Sequence, residues 1–254
     1  MITTVTMNAA LDKAYFMEKA IENGTVMRVS RCHTTAGGKG LNVARAIAIC
    51  GGQVQATGLV GGFNGQYLES LLDQDKIPHQ FGHVSGETRS CINILDPGYG
   101  STEYLEPGFT VSPEEEQEFM DRFPDIIRDS DVVTISGSLP RGISKDIYSK
   151  MITIAREMGK KVLLDSSGET LKNAIAAGPT LVKPNQDEIQ QLAEAKITSE
   201  EDLIRCGKKV HEMGVAYVVI SQGKEGALLI CEEGVFKGHS PKIKAVNSVG
   251  CGDS

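Results

Sequence analysis

Short β-branched segments alternate with segments of helical periodicity along most of this chain. Five segments read as strands, at residues 2–6, 132–136, 162–165, 180–183 and 215–221. Between two of them, apolar residues recur at helical spacing from Ile147 to Met158, and Gly159 offers a left-handed stop. The alternation predicts an α/β fold with a mostly parallel sheet covered by helices on both faces.

Two further helix starts can be read from their first residues. Ser112-Pro113 with Glu115 is typical of a capping box with proline in the first helical position. Asn42 is expected to open a helix that carries Val43, Ala46, Ile47 and Cys50 on one face and ends at Gly51-Gly52.

Two stretches, roughly residues 11–34 and 89–108, fit the alternation poorly. The second contains Asp96-Pro97-Gly98-Tyr99-Gly100, which predicts a turn between short strands. We expect these stretches to form a small sheet that projects from the main one. The chain shows no repeat and no linker, so residues 1–254 are expected to be a single domain with this excursion.

Composition narrows the class of protein. The 254 residues carry a formal charge of −7 without a basic block, which argues against nucleic acid or an anionic membrane as partner. The six cysteines form no C-x-x-C pair and the five histidines show no metal-ligand spacing, so zinc and a disulfide framework are not expected. No leader or membrane span is recognisable, and we expect a cytoplasmic protein.

The last residues of the chain combine a glycine pair with a carboxylate. Glycines at Gly250 and Gly252 allow successive backbone amides, including that of Cys251, to converge on an anion. An acid placed directly after them, Asp253, can accept the proton of an attacking hydroxyl, a combination that phosphoryl transfer needs. The alternative is a glycine turn with Asp253 as a helix N-cap.

A second glycine-rich run lies at residues 35–46. Gly37-Gly38-Lys39-Gly40 would allow close backbone approach beside one cation, and the Asn42 amide could bind sugar hydroxyls. A Walker A loop is excluded because no Ser or Thr follows Lys39, and a Rossmann fingerprint is excluded by the glycine spacing. The run could also be a surface turn capped by Asn42.

Five segments in order resemble the PfkB (ribokinase-like) sugar kinases: TAGGKGLNVARA, SGSLPRG, KPNQDE, SQGKEGAL and NSVGCGDS. The resemblance extends over the chain from Asn8 onward. GGKGLNVARA together with GETRSCI is similar to the branch of the family that acts on sugar phosphates. A ribokinase-like fold with a small β-lid is therefore implied.

The resemblance also implies roles for individual residues. Asp253 would be the catalytic base, with an anion hole formed by the amides of Gly250, Cys251 and Gly252. Sugar hydroxyls would be held by Asp12, Gly38 and Asn42. The existing phosphate of the substrate would be bound by Lys39 and Arg89, with Arg28 as a weaker candidate.

On the nucleotide side, the implied ATP-binding residues are Lys183, Asn185, Ser221, Gly223 and Gly226. Asn185 and Glu188 would organise Mg²⁺ through its waters. Each segment also has a purely structural interpretation, because Asn185 with Glu188 reads as a capping box and residues 221–226 as a glycine-rich hairpin turn. Asp165-Ser166-Ser167 could line the nucleotide cleft or cap a helix.

The resulting functional expectation is ATP-dependent, Mg²⁺-dependent phosphorylation of a ketohexose phosphate. Tagatose 6-phosphate is the favoured substrate and fructose 1-phosphate the alternative, with fructose 6-phosphate also left open. Relatives carry a further segment after the aspartate, so the C-terminal part of the fold is expected to be absent here. A homodimer formed through the lid is implied, and a non-catalytic sugar-phosphate sensor is the alternative from another class.

Overall fold

The computed structural model describes residues 1–240. The strands are β1 (Ile2–Thr6), β2 (Ala10–Phe16), β3 (Arg31–Gly37), β4 (Val54–Gly61), β5 (His79–Val84), β6 (Arg89–Asp96), β7 (Gly100–Leu105), β8 (Val132–Ser136), β9 (Lys161–Asp165), β10 (Leu181–Val182), β11 (Tyr217–Ser221), β12 (Ala227–Cys231) and β13 (Gly234–Gly238). The helices are α1 (Lys39–Ile49), α2 (Gly62–Gln74), α3 (Pro113–Ile126), α4 (Ile147–Glu157), α5 (Gly168–Ile175), α6 (Gln186–Ala193) and α7 (Glu200–Glu212).

Nine strands form the main sheet in the order β13-β12-β11-β10-β9-β8-β1-β4-β5. The seven strands from β11 to β5 in that order run parallel, and β12 and β13 add antiparallel at one edge. All five predicted strands lie in this sheet. The segment predicted at residues 180–183 is shorter than expected, since only Leu181–Val182 pairs with both neighbours.

Helices cover both faces, as predicted. On one face, α1 and α2 pack against β1, β4 and β5, where Leu41, Leu68 and Leu72 are buried in a small core. On the other face, α3 to α7 enclose a larger core that includes Phe119 and Phe123. The sheet therefore separates two apolar layers, and its strand ends are left as the surface on which polar groups can meet.

Three predicted helix ends are confirmed. Ser112 and Glu115 form the predicted capping box at the start of α3, and Asn185 and Glu188 form one at the start of α6. Gly159 follows α4 with a φ of 74°, in the left-handed region.

The predicted start of α1 is wrong, because the helix begins at Lys39 with Gly38 as its N-cap residue. Its buried face carries Gly40, Leu41 and Ala44, whereas the predicted face is half-buried or exposed. The physical reason is close packing on β1: a Cβ at Gly40 would stand 2.3 Å from Thr6 Oγ1. A helix that approaches a strand so closely needs glycine at the contact. Gly40 supplies that contact, and it lies in the first turn of the helix, upstream of Asn42.

A second, four-stranded sheet has the order β3-β2-β6-β7 and takes in most of the two stretches that fit the alternation poorly. β2 and β6 run parallel, and the outer pairs are antiparallel. The predicted turn connects β6 to β7, and Asp96 Oδ1 accepts from the amides of Gly98 at 2.7 Å and Tyr99 at 3.0 Å. Because β3 ends at Gly37, the second sheet leads directly into α1.

An open apolar groove of about 310 Å³ runs between α1 and strands β8 to β10. Val43 and Ile47 of α1 form one wall, and Leu163 and Leu181 belong to the opposite wall. This position explains why the face predicted for α1 is only half-buried. Asp165 and Lys183, which belong to the site described below, also line this groove.

Within residues 1–240, no helix combines the length and the apolar character needed to cross a membrane. The cysteines in this part of the chain are free thiols: Cys32, Cys50, Cys91, Cys206 and Cys231. Cys251, together with Gly250, Gly252 and Asp253, lies outside the described residues.

Candidate active site

A cavity of about 180 Å³ lies at the carboxyl ends of β1, β8 and β9, where the second sheet meets the start of α1. Ligands of open α/β sheets bind at this edge, because the loops that follow the strands are free to carry polar groups there. The residues that line the cavity are Thr6, Asn8, Gly38, Lys39, Arg89, Ser136, Gly137, Ser138, Ser166 and Ser167. Two cations and several hydroxyls thus face one small space, which suits a polar anion.

Asp12 lies on β2 and its carboxylate accepts a hydrogen bond from the backbone amide of Gly38. The carboxylate fills the space above Gly37, where a Cβ would stand 2.0 Å from Asp12 Cγ. Burial raises the pKa of Asp12 to about 6, against the lowering effects of Arg89, Arg45 and the Gly38 amide. The group therefore changes between its neutral and charged forms near pH 6 and is mostly charged at neutral pH.

Arg89, at the start of β6, is held by two backbone carbonyls. Its Nη1 donates to Glu106 O and its Nη2 donates to Asn8 O, each at 3.1 Å. Its buried Nε has no hydrogen-bond partner among the described residues. Two carbonyl contacts fix the plane of the guanidinium at the cavity wall, and the fork keeps further N–H donors for a ligand.

Lys39 and Lys183 are joined through one buried carboxylate. Asp165, at the end of β9, accepts from Lys39 Nζ at Oδ1 and lies beside Lys183 Nζ at Oδ2, each at 3.1 Å. The Asp165 side chain is 10% exposed, so its charge needs these partners. The structure thereby connects the lysine predicted on the substrate side to the lysine predicted on the nucleotide side.

The segment at residues 183–188 lies next to β11. Ser221 N donates to Pro184 O at 3.0 Å, and Asn185 forms an isolated parallel bridge with Ser221. In the capping box of α6, Asn185 N donates to Glu188 Oε2 at 2.8 Å and Glu188 N donates to Asn185 Oδ1 at 2.9 Å. Three of the residues predicted on the nucleotide side, Lys183, Asn185 and Ser221, are thus neighbours at the same edge of the main sheet.

Gly223 and Gly226 belong to the tight connection between β11 and β12. Gln222 N donates to Gly226 O at 2.8 Å. A Cβ at Gly226 would stand 2.0 Å from Gly238 O, so glycine is required there for packing. The structural interpretation of this segment, a glycine-rich hairpin turn, is therefore sufficient to explain Gly226.

Three predicted substrate residues do not line the cavity: Asp12, which contacts the Gly38 amide at its rim, Asn42 and Arg28. Asn42 is on the first turns of α1, and its Oδ1 accepts from Arg45 Nη1 at 3.3 Å. Arg28 is exposed in the connection between β2 and β3. Among the described residues, no group of three or more His, Cys, Asp or Glu side chains could hold a metal ion.

Sequence reasoning missed several residues of the site. Asn8 donates from Nδ2 to Ser138 Oγ at 3.4 Å, which joins the end of β1 to the loop after β8. Asp165 was considered only as a possible cleft residue, although it holds both lysines. The sequence held part of the information needed to find these residues. Asn8 is where the resemblance to the family begins, in the segment NAALD at residues 8–12, and Ser138 lies within the family segment SGSLPRG.

Asp12→Asn should stabilise the protein at neutral pH. A folded-state pKa raised from 3.8 to about 6 means that stability falls as pH rises between these values, and the loss remains above pH 6. The neutral amide avoids this loss, so we expect the free energy of unfolding in urea to rise by roughly 1–3 kcal/mol at pH 7.5. The gain should disappear at pH 4.

The matched control is Asp129→Asn, which changes an exposed aspartate. It should leave the free energy of unfolding nearly unchanged at both pH values. An equal gain for Asp12→Asn at pH 4 and pH 7.5 would contradict the account of Asp12.

Comparison with known proteins gives a consistent result. Residues 5–254 match the description "pfkB family carbohydrate kinase". A tagatose-6-phosphate kinase of Staphylococcus epidermidis is 38% identical over an alignment of 257 residues that covers 100% of this chain and 82% of that protein.

The solved structures that resemble this chain include proteins named as phosphofructokinases. Phosphofructokinase-2 of Escherichia coli has a TM-score of 0.92 both in complex with fructose-6-phosphate (30% identity, 99% of this chain, 83% of that one) and in a tetrameric inhibited form (32%, 99%, 83%). A possible 1-phosphofructokinase of Thermotoga maritima has a TM-score of 0.85 at 29% identity, with 92% of this chain and 76% of that chain covered. Together with the strand order and the site at the strand ends, these matches show that the chain belongs to the pfkB family of carbohydrate kinases.

Proposed function

We propose that this protein transfers the γ-phosphate of ATP to a hydroxyl of a ketohexose phosphate. The observation that carries the proposal is the cavity at the carboxyl ends of β1, β8 and β9, where Lys39 and Arg89 face the same space. A point ammonium and a fork-shaped guanidinium suit a phosphate that the sugar already carries. The chain carries a formal net charge of −7, so an anionic substrate needs local cations such as these to be attracted to the site.

Tagatose 6-phosphate is the substrate that we favour. Support comes from the 38% identity to a protein named tagatose-6-phosphate kinase over the whole of this chain. Fructose 1-phosphate and fructose 6-phosphate are the alternatives, since structural neighbours are named for phosphofructokinase activity. All three compounds present a phosphate and several hydroxyls, which is the chemistry that the cavity offers.

The sugar hydroxyls would be held at the start of α1. A carboxylate at Asp12 can accept hydrogen bonds from sugar hydroxyls, the Gly38 backbone closes one side, and the Asn42 amide can donate to a hydroxyl oxygen. Arg28 would approach the substrate only if the connection between β2 and β3 moved toward the cavity. We retain it as the weakest member of this set.

ATP would lie along the adjoining edge of the main sheet. Lys183, Asn185 and Ser221 are neighbours there, and Gly223 and Gly226 form the turn that follows. Asp165 holds Lys183 and Lys39 on its two oxygens, which would place one cation beside each phosphate group. Such positioning of charge is the main part of phosphoryl-transfer catalysis.

Asp253 would be the catalytic base, and the amides of Gly250, Cys251 and Gly252 would form the anion hole. In the proposed step the acceptor hydroxyl gives its proton to Asp253 and its oxygen forms a bond to the γ-phosphorus. The bond from that phosphorus to the bridging oxygen breaks, and ADP leaves. These four residues lie outside the described part of the chain, so their roles rest on the motif and the family.

Mg²⁺ would neutralise the phosphate charge of ATP when it is bound. The candidate residues fit a water-mediated role, because the capping box already uses Asn185 Oδ1 and Glu188 Oε2. Glu188 Oε1 is not used by the capping box and could accept a hydrogen bond from a metal-bound water. Magnesium characteristically keeps several of its waters, so few direct protein ligands are needed.

The second sheet would act as a lid over the sugar. It carries Asp12 and Arg89, so its closure would bring both to the substrate and would exclude water from the transfer. In this proposal, residues 1–254 form a single domain from which the lid projects. Free thiols in the described part of the chain support a reducing cytoplasm as the site of action.

We also propose that the protein is a homodimer assembled through the lid. Large apolar side chains are exposed on this sheet and its connections, namely Val26, Val29, Tyr99, Tyr104 and Leu105. Apolar groups gathered on one element favour contact with another protein surface. One structural relative, phosphofructokinase-2 of Escherichia coli, has a tetrameric inhibited form.

Sedimentation equilibrium of the full-length protein should give the mass of a dimer at micromolar concentration. Leu105→Asp should dissociate it, because an unpaired charge in an apolar interface is costly. Met213→Asp, which changes an exposed apolar residue outside the lid, should leave the dimer intact. A monomeric wild-type protein would contradict this assembly.

Arg89→Ala should weaken the binding of sugar phosphate selectively. Loss of charge-assisted hydrogen bonds to the phosphate should raise KM for the sugar phosphate roughly 10- to 100-fold and leave KM for ATP within about twofold. Arg31→Ala, in the same sheet but at its far end, is the control and should change neither constant. An unchanged KM for the sugar phosphate in Arg89→Ala would remove this residue from the phosphate site.

A further inference from the structure

Arg45 connects three parts of the molecule at the start of α1. Its Nη2 donates to Ala36 O at 2.6 Å and its Nη1 donates to Asn42 Oδ1 at 3.3 Å. Its Nε lies 3.5 Å from Asp75 Oδ2, just after α2. The Arg45 side chain is 26% exposed, so it is largely enclosed by these contacts.

The contact with Ala36 ties α1 to the second sheet. Ala36 is the penultimate residue of β3 and pairs with Leu11, and the next pair in the ladder joins Thr35 to Asp12. A hydrogen bond from Arg45 therefore fixes the helix relative to the strand pair that carries Asp12. The carbonyl contact is also short, which is typical of a charged donor.

The contact with Asn42 sets the orientation of its amide. A guanidinium can only donate hydrogen bonds, so the side-chain atom beside Arg45 must be the oxygen of the amide. The Nδ2 hydrogens then lie on the side of the amide away from Arg45. In this orientation the Asn42 amide presents donors on its other side, whereas the opposite orientation would leave two donors facing each other.

Arg45 also acts on the charge of Asp12. Arg89 from β6 and Arg45 from α1 both lower the pKa of the Asp12 carboxyl, while Glu103 from β7 raises it. The thiol of Cys91 on β6 also faces Asp12, and burial first and the Asp12 charge further raise its pKa. Loss of Arg45 would remove one of the two cations that offset the burial of the carboxylate.

We propose that Arg45 is a positioning residue that holds the Asn42 amide as a donor and the Asp12 carboxylate as an acceptor for the sugar hydroxyls. A hydroxyl has one proton to give and lone pairs to receive, so an acceptor and a donor together bind it from both sides. This inference rests on the proposed function, since it assigns a role in the same sugar site. It adds a residue that touches neither the sugar nor the nucleotide.

Arg45→Gln tests the inference in the full-length protein. KM for the sugar phosphate should rise about 10-fold, because the donor orientation of Asn42 is no longer enforced, while KM for ATP should stay within about twofold. The acid limb of kcat/KM for the sugar phosphate, placed near pH 6 by Asp12, should move to higher pH. A residue that only supported the fold would not shift this limb.

Arg45→Lys separates the two contributions of Arg45. Lysine keeps the positive charge but has no planar fork with which to reach Ala36 O and Asn42 Oδ1 together. The acid limb should therefore stay near its wild-type position while KM for the sugar phosphate still rises. A second test uses Asn42→Ala: in that background, Arg45→Gln should raise KM by less than threefold, since the amide that it orients is gone.

The control is Arg156→Gln. Arg156 Nη1 also donates to a backbone carbonyl, that of Ala177 at 2.6 Å, but it lies in the last turn of α4, on the other face of the main sheet from α1. It should change neither constant nor the pH profile. The inference is overturned if Arg45→Gln keeps the wild-type KM and acid limb, or if its effect is undiminished in the Asn42→Ala background.

Calorimetric titration of wild type with the same sugar phosphates separates this failure from failure of the proposed function. Measurable binding and turnover by wild type, with no effect of Arg45→Gln, would overturn the role of Arg45 alone. Absence of both binding and turnover in wild type would overturn the sugar-phosphate site and the role of Arg45 with it.

Discussion

The site depends on the glycine residues around the start of α1, because a larger residue at these positions would collide with neighbouring strands. A Cβ at Gly37 would stand 2.0 Å from Asp12 Cγ, and one at Gly40 would stand 2.3 Å from Thr6 Oγ1. Glycine therefore lets the helix begin directly against β1 and β2. Because this contact joins the main sheet to the second sheet, Lys39 and Arg89 line one cavity and Asp12 lies beside its Gly38 wall, although the three residues come from three elements.

Charge is arranged around two carboxylates with different surroundings, Asp165, which is buried, and Asp12, which is half-buried. Asp165 has a lysine on each oxygen, which compensates its burial and fixes both ammonium groups. Asp12 has weaker compensation from Arg89 and Arg45, and burial raises its pKa to about 6. The first carboxylate organises the cations that would hold phosphate, and the second is suited to accept hydrogen bonds from sugar hydroxyls.

Much of the fold follows from local sequence. Strand and helix periodicity predicted the parallel sheet, and Ser112 and Asn185 identified two helix starts because capping boxes depend on residues three positions apart. The predicted start of α1 was wrong because the packing of Gly40 against Thr6 determines where the helix begins. Such a contact between distant residues cannot be read from the local sequence pattern. For the same reason the pairing of Asp165 with Lys39, 126 residues away, and the contact of Arg45 with Ala36 emerged only from the structure.

The most direct test of sugar-phosphate phosphorylation is ADP release by the full-length gene product with ATP, Mg²⁺ and, in turn, tagatose 6-phosphate, fructose 1-phosphate, fructose 6-phosphate and the free sugars. We expect turnover with one of the phosphates, little with the free sugars, and a loss of roughly 10²–10⁴ in kcat for Asp253→Asn with substrate binding retained. Binding of a sugar phosphate without ADP release would contradict the account and would favour a non-catalytic sensor.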